Sequence, residues 1–126
     1  MSKQTILVID DDENQLAVMA TFLERQGYAV VSACSAEEGL GVLDQHAVDA
    51  AVCDVMLPRK SGKWFLESVR RSVKFAALPV LMVTAAREDM MQELLDAGAN
   101  GFLAKRDLLK NLAPALVTAL NKGGSR

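Results

Sequence analysis

Five short apolar runs rich in β-branched residues recur along the chain, at residues 5–9, 28–33, 48–53, 79–83 and, more weakly, 102–104. They read as strands buried on both faces. The segments between them carry apolar residues at helical spacing: Leu16, Met19, Ala20 and Leu23; Leu40 and Leu43; Phe65, Leu66 and Val69; Met90, Leu94 and Leu95. A last helix is indexed by Leu109, Leu112, Leu116 and Leu120, and Pro114 inside that pattern predicts a start near Asn111 after a short turn at Asp107. Ser35-Ala36-Glu37-Glu38 has capping-box spacing, and Gly27 and Gly98 stand where left-handed helix caps belong.

A β-α unit repeated five times calls for a parallel sheet covered by helices on both faces, joined by right-handed crossovers. The fold class expected is therefore α/β, a doubly wound five-stranded parallel sheet. With 126 residues there is chain for one hydrophobic core, placed at residues 1–122, and residues 123–126 read as a flexible tail or the start of a linker.

Composition narrows the function classes. At 51% hydrophobic and 24% charged residues, with a mean hydropathy of +0.16, the chain should fold as a compact globule. A net charge of −2 provides no broad positive field for nucleic acid. The most apolar stretch, residues 75–86, is interrupted by Pro79 and Thr84 and is shorter than the ~20 residues of a membrane span, and no signal-peptide core follows Met1, so no membrane association and a cytoplasmic location are expected. Cys34 and Cys53 lie in different segments and read as small core residues rather than as a disulfide or thiolate site. Charge is uneven: residues 1–58 hold ten acids and two bases (−8), residues 59–74 six bases and one acid (+5), and the remainder six bases and five acids (+1). The basic stretch, with Arg59, Lys60, Lys63, Arg70, Arg71 and Lys74, reads first as a solvated helix face and second as a docking patch for an acidic partner.

In an open parallel sheet the ligand site lies beyond the carboxyl ends of the strands. Asp10, Asp11 and Asp12 follow the first apolar run, Asp54 the third, Thr84 the fourth and Lys105 the fifth. Four separate segments thus bring carboxylates, a hydroxyl and an ammonium to one edge. Clustered carboxylates require a cation or a shared proton, and all-oxygen donors favour Mg²⁺, whereas the single histidine, His46, lends no support to zinc. A carboxylate beside Mg²⁺ with a lysine and a hydroxyl in reach can act as a nucleophile toward a phosphoryl group. No Walker loop or dinucleotide fingerprint is present. Asp12 reads as a helix cap.

These residues resemble the receiver domains of two-component response regulators, over almost the whole chain. Ile6-Leu7-Val8-Ile9-Asp10-Asp11-Asp12 is similar to the family's first strand and acidic pair, and Val52-Cys53-Asp54-Val55-Met56-Leu57-Pro58 with Gly62 to its phosphoacceptor segment. Residues 79–85 and 101–105 match the fourth and fifth strands. The resemblance implies a flavodoxin-like (βα)5 fold with strand order 2-1-3-4-5. It makes Asp54 the phosphoacceptor, with Thr84 and Lys105 acting on the phosphoryl group. Asp10, Asp11, Asp54 and the Met56 backbone carbonyl become Mg²⁺ ligands, small Ala85 leaves access, and Thr84 and Phe102 are switch residues. The implied partners are a histidine kinase or histidine phosphotransfer protein and an output partner that the sequence does not name, with the domain a monomer or a phosphorylation-dependent homodimer. Its only chemistry would be self-phosphorylation and slow self-dephosphorylation. Arg106 departs from the pattern, standing where most receivers have a proline whose bond to the lysine is commonly cis, and Arg59-Lys60-Ser61 is basic where the family more often has an acid before the glycine. Two rival readings are an interaction module independent of phosphorylation and a small haloacid-dehalogenase-type phosphatase using Asp10.

Overall fold

The computed structural model of the protein describes residues 3–85 and 89–124. In chain order they form β1 (Thr5–Ile9), α1 (Glu13–Arg25), β2 (Ala29–Ala33), α2 (Ala36–Gln45), β3 (Ala50–Asp54), α3 (Gly62–Arg71), β4 (Val80–Thr84), α4 (Asp89–Asp96), β5 (Gly101–Ala104) and α5 (Leu108–Gly124), with a 3-10 turn over Lys105–Asp107. All five strands are parallel and lie in the order β2-β1-β3-β4-β5. The winding reverses between β1 and β3, which opens a crevice at the carboxyl ends of those two strands.

Strand residues alternate between two cores. Ile6, Val8, Ala50, Val52, Leu81 and Val83 pack with Leu16, Met19 and Leu23 of α1 and Leu112 and Leu116 of α5. Leu7, Ile9, Ala51, Cys53, Val80 and Met82 pack with Ala36 and Leu43 of α2, Phe65, Leu66 and Val69 of α3, and Leu94 of α4. Helices on both faces explain why the strands read as unbroken apolar runs rather than alternating ones.

Local chemistry sets the element ends. Asp12 Oδ1 accepts from the backbone N–H of Asn14 (2.9 Å) and Gln15 (3.4 Å) and caps α1. Ser35 Oγ accepts from Glu38 N at 3.1 Å, and the Glu38 side chain reaches back to Cys34 N, one residue beyond the usual capping-box partner. Gly27 and Gly98 have φ of 98° and 106°, as their cap positions require.

Three details depart from the sequence expectations. Helix α5 begins at Leu108, three residues before Asn111, because the 3-10 turn runs directly into it; Pro114 lacks the N–H that would bond the Lys110 carbonyl, and both residues are exposed. The same helix continues through Gly123 and Gly124, while Ser125 and Arg126 lie outside the described residues. Cys53 is buried, but Cys34 is exposed because it falls one residue past the end of the edge strand β2.

Arg70 is not part of a solvated face. Its Nε and Nη2 donate to the Gly98 carbonyl (2.9 and 2.7 Å), Nη1 to the carbonyls of Leu78 (2.7 Å) and Ala76 (3.2 Å), and Nη2 also to Asn100 Oδ1 (2.8 Å). Burial pushes its pKa down, and five bonds to neutral acceptors replace its lost hydration. The side chain thereby ties α3 to the loop before β4 and to the turn between α4 and β5. An exposed ion pair between Lys63 and Glu93 forms a second link from α3 to α4. Replacing Arg70 with Met should cost roughly 1 to 3 kcal/mol in urea denaturation, because the partly buried carbonyls of Leu78 and Gly98 lose their donors. Arg70→Lys should recover less than half of the loss, since an ammonium cannot fork between the two loops.

Candidate functional site

Among the described residues, the buried polar or charged side chains are Asp10, Asp54 and Thr84, at 1%, 2% and 1% exposure. Asp10 follows β1, Asp54 ends β3 and Thr84 ends β4, and the strand register places Asp54 opposite Val83 and Thr84 opposite Ala104. Lys105 follows Ala104 directly. The crevice therefore collects polar groups from four separate strands.

Both buried carboxylates are held by the same local device, an Asx turn in which one oxygen accepts from the backbone N–H two residues on. Asp10 Oδ1 accepts from Asp12 N and Asp54 Oδ1 from Met56 N, each at 3.0 Å. Each Oδ2 is buried without a hydrogen bond. Lys105 Nζ lies 2.8 Å from Asp54 Oδ2, a contact of charge rather than a well-directed hydrogen bond. Carboxylate oxygens of Asp10, Asp11 and Asp54 all lie within 4.8 Å of one another.

The electrostatics follow from this crowding. Burial pushes the Asp10 carboxyl above its ordinary pKa, the Asp12 N–H works against that shift, and Asp54 adds to it. The Lys105 ammonium is held above its ordinary pKa, chiefly by its contact with Asp54. Two unsatisfied buried oxygens beside a third carboxylate, with no nitrogen or sulfur donor in the set, form a donor group suited to a hard divalent cation.

The remaining sequence candidates fall around this centre. Asp11 is exposed at the rim, and Met56 contributes its backbone to the Asx turn while its side chain is 67% exposed. Thr84, Ala85, Ala104, Lys105 and Arg106 line a cavity of about 280 Å³ between the ends of β4 and β5. Phe102 is half-buried against the second core. The described peptide bonds are all trans, so the Lys105–Arg106 bond is trans, and the 3-10 turn that opens at Lys105 still delivers its ammonium to Asp54. Trp64 is half-buried on α3 with the Lys60 ammonium 5.3 Å from its ring centre, and His46 lies exposed at the other end of the sheet, after α2. Gly62 allows α3 to sit on the end of β3: a Cβ there would meet the Asp54 carbonyl oxygen at 2.2 Å. Sequence reasoning missed Arg70, whose only signal was a basic residue one position after buried Val69. It also missed the backbone of Arg59, which has a φ of +65°.

The family model for the response regulator receiver domain matches residues 6–116. The chain belongs to the receiver domain family. This receiver is 34% identical over 106 residues to the response regulator GtcR of Aneurinibacillus migulanus, covering 83% of its own length and 42% of that relative. It is 36% identical over 101 residues to the alkaline phosphatase synthesis transcriptional regulatory protein PhoP of Bacillus subtilis, covering 79% of its own length and 41% of that relative. The receiver thus spans about two-fifths of the length of these curated relatives. Among solved structures, the chemotaxis protein CheY4 of Vibrio cholerae superposes with a TM-score of 0.88 at 26% identity, covering 94% of this chain and 99% of that one. A CheY-like receiver domain protein of Methanospirillum hungatei also gives 0.88, at 27% identity over 98% of both chains. No helix among the receiver's described residues is long and apolar enough to cross a membrane.

The raised pKa of Asp10 has a definite sign in folding. A carboxyl whose folded pKa exceeds its unfolded value destabilises the fold when ionised, and the penalty is relieved as pH falls through the folded pKa toward the ordinary 3.8. In a divalent-free buffer Asp10→Asn should therefore unfold at a higher temperature than wild type at pH 7, and the gap should close as pH is lowered to about 4. Mg²⁺ should reverse the order, stabilising wild type by about 2.7 kcal/mol at a hundred times its dissociation constant and the variant by much less.

Proposed function

We propose that this receiver accepts a phosphoryl group on Asp54 from a histidine kinase or a histidine phosphotransfer protein and uses it to remodel a protein-interaction face. The observation that carries the reading is the state of Asp54: at 2% exposure, its Oδ2 has no hydrogen bond and lies 2.8 Å from Lys105 Nζ, inside a cluster with Asp10 and Asp11.

Asp10, Asp11, Asp54 and the backbone carbonyl of Met56 would hold Mg²⁺. When bound, that ion offsets the charge of the acids and of the incoming phosphoryl oxygens. An Asp54 carboxylate oxygen forms the new bond to phosphorus while the bond from phosphorus to the donor imidazole nitrogen breaks, leaving the donor histidine and an aspartyl phosphate. The Lys105 ammonium passes from the carboxylate to a phosphoryl oxygen, and the Thr84 hydroxyl donates to another. Small Ala85 leaves room beside them. The modification adds roughly −1.5 to −2 charge to a site that already holds buried carboxylates. Thr84 and Lys105 move toward it, Phe102 turns inward, and the face formed by α4, β5 and α5 changes shape. Loss of the phosphoryl group to water resets the domain.

The rivals lose their footing on particular residues. A phosphatase using Asp10 as nucleophile would need Asp12 as its acid, but Asp12 is committed to the cap of α1. The departure at Arg106 gives no support to an interaction module indifferent to phosphorylation, since Lys105 meets Asp54 although its bond to Arg106 is trans.

Intact-mass measurement after incubation with acetyl phosphate tests the reading. Wild type should gain one phosphoryl group only when Mg²⁺ is present, and Asp54→Ala should gain none. Uptake that survives in Asp54→Ala, or wild type that binds Mg²⁺ but takes up nothing from either acetyl phosphate or a phosphorylated histidine phosphotransfer protein, would refute it.

A further inference from the structure

The basic stretch Arg59-Lys60 finds no use in the phosphoacceptor chemistry above. Residues 56–61 form a closed loop with both feet on the phosphoacceptor strand: Met56 N donates to Asp54 Oδ1 at 3.0 Å and Gly62 N to the Val55 carbonyl at 2.9 Å. Near its tip Arg59 has a φ of +65°, the left-handed value that no other non-glycine residue among those described adopts. An L side chain is disfavoured there and glycine is not. Among the described residues, no hydrogen bond or short ion pair of the Arg59 side chain offsets the strain. The Arg59 side chain is 73% exposed, and its ion pair to Glu37 is 4.0 Å long with that partner 45% exposed. A screened pair of that length adds little to folding. Strain kept without a folding gain directs attention to function.

The surroundings indicate which function. The loops at this edge of the sheet are acidic, with Asp10, Asp11, Asp12, Glu13, Glu37 and Glu38 following β1 and β2. A phosphoryl donor is itself an anion, so this mouth repels the substrate it must admit, even with one divalent cation bound. Lys105 and Arg106 supply positive charge on the β5 side. On the β3 side Arg59 supplies it, and Lys60 over the Trp64 ring, whereas Lys63 in the first turn of α3 is paired with Glu93.

We infer that Arg59, assisted by Lys60, guides the anionic phosphodonor into the acidic pocket and so determines donor capture rather than the transfer step. This rests on Asp54 as the phosphoacceptor. Arg59 touches no reacting atom; it acts through the field at the entrance. The ligand chemistry is the phosphoryl anion shared by small acyl phosphates and by phosphohistidine.

The test is the second-order rate of Asp54 phosphorylation on the whole chain at saturating Mg²⁺, with two donors: acetyl phosphate for the small acyl phosphates and N-phosphoimidazole for the phosphohistidine group. In the first reaction the oxygen–phosphorus bond to Asp54 forms, the acyl oxygen–phosphorus bond breaks and acetate leaves. At about 20 mM ionic strength Arg59→Gly should lower the rate roughly threefold and Arg59→Gly with Lys60→Gln further, and both losses should shrink toward unity near 0.5 M salt. Arg59→Lys should stay close to wild type. Arg59→Gly should also unfold no lower than wild type, because the left-handed strain is gone, and should bind Mg²⁺ equally well or more tightly. A structural role would move these two readouts the other way. Donor-specific loss identifies which source is guided. Equal rates for wild type and both variants at low salt, or a loss that persists at high salt with a lower unfolding temperature, would overturn the inference while leaving Asp54 as acceptor. A wild type that takes up no phosphoryl group from any donor would remove the acceptor reading itself.

Discussion

The arrangement of this domain depends on one electrostatic constraint: two carboxylates, Asp10 and Asp54, buried side by side at the end of an apolar sheet. Burying such charges is costly unless they gain partners, and here the partners are local backbone groups and one lysine. Backbone N–H groups two residues on hold one oxygen of each, and Lys105 faces the free oxygen of Asp54 from the far side of β4. The remaining lone pairs converge on a space suited to a hard cation. A sheet that only needed to be stable would place apolar residues here, since replacing a buried ion pair by well-packed apolar side chains is often neutral or favourable.

That constraint governs the packing around it. Strand register must bring Asp54, Thr84 and Lys105 to one edge: Asp54 pairs with Val83 and Val83 with Leu103, so Thr84 stands one residue and Lys105 two residues beyond the level of Asp54. The helix after Asp54 must approach closely, which is why Gly62 sits against the Asp54 carbonyl with no space for a Cβ. The loop between them carries the left-handed Arg59. Charges elsewhere divide by depth: Arg70 is turned inward to satisfy carbonyls of two loops, whereas Arg59 and Arg106 remain in solvent, where they act through their field and add little to stability.

Arg70 and the Lys63–Glu93 pair give α3 a second role, since both link it to α4 or to the turn that follows α4. Any displacement of α4 therefore works against fixed contacts near its C-terminal end.

The alternation of apolar runs with helical stripes was sufficient to determine five strands, five helices and a doubly wound parallel sheet, because a strand buried on both faces and a one-sided helix leave period and composition signals that survive without coordinates. Asp10, Asp54, Thr84 and Lys105 were legible for the same reason: each closes an apolar run, and the topology sends all those ends to one edge. Three features were not legible. The start of α5 depended on Pro114 and Lys110 being on the solvent side, the burial of Arg70 on loops brought together from residues 76–78 and 98–100, and the φ of Arg59 on a loop closed by the bond from Gly62 to Val55. Local spacing encodes which face of an element is apolar, and so it determined the fold and which polar residues meet at one edge of the sheet. Distances, protonation and strain depend on groups far apart in sequence meeting in a low-dielectric interior, and only the tertiary structure decided those.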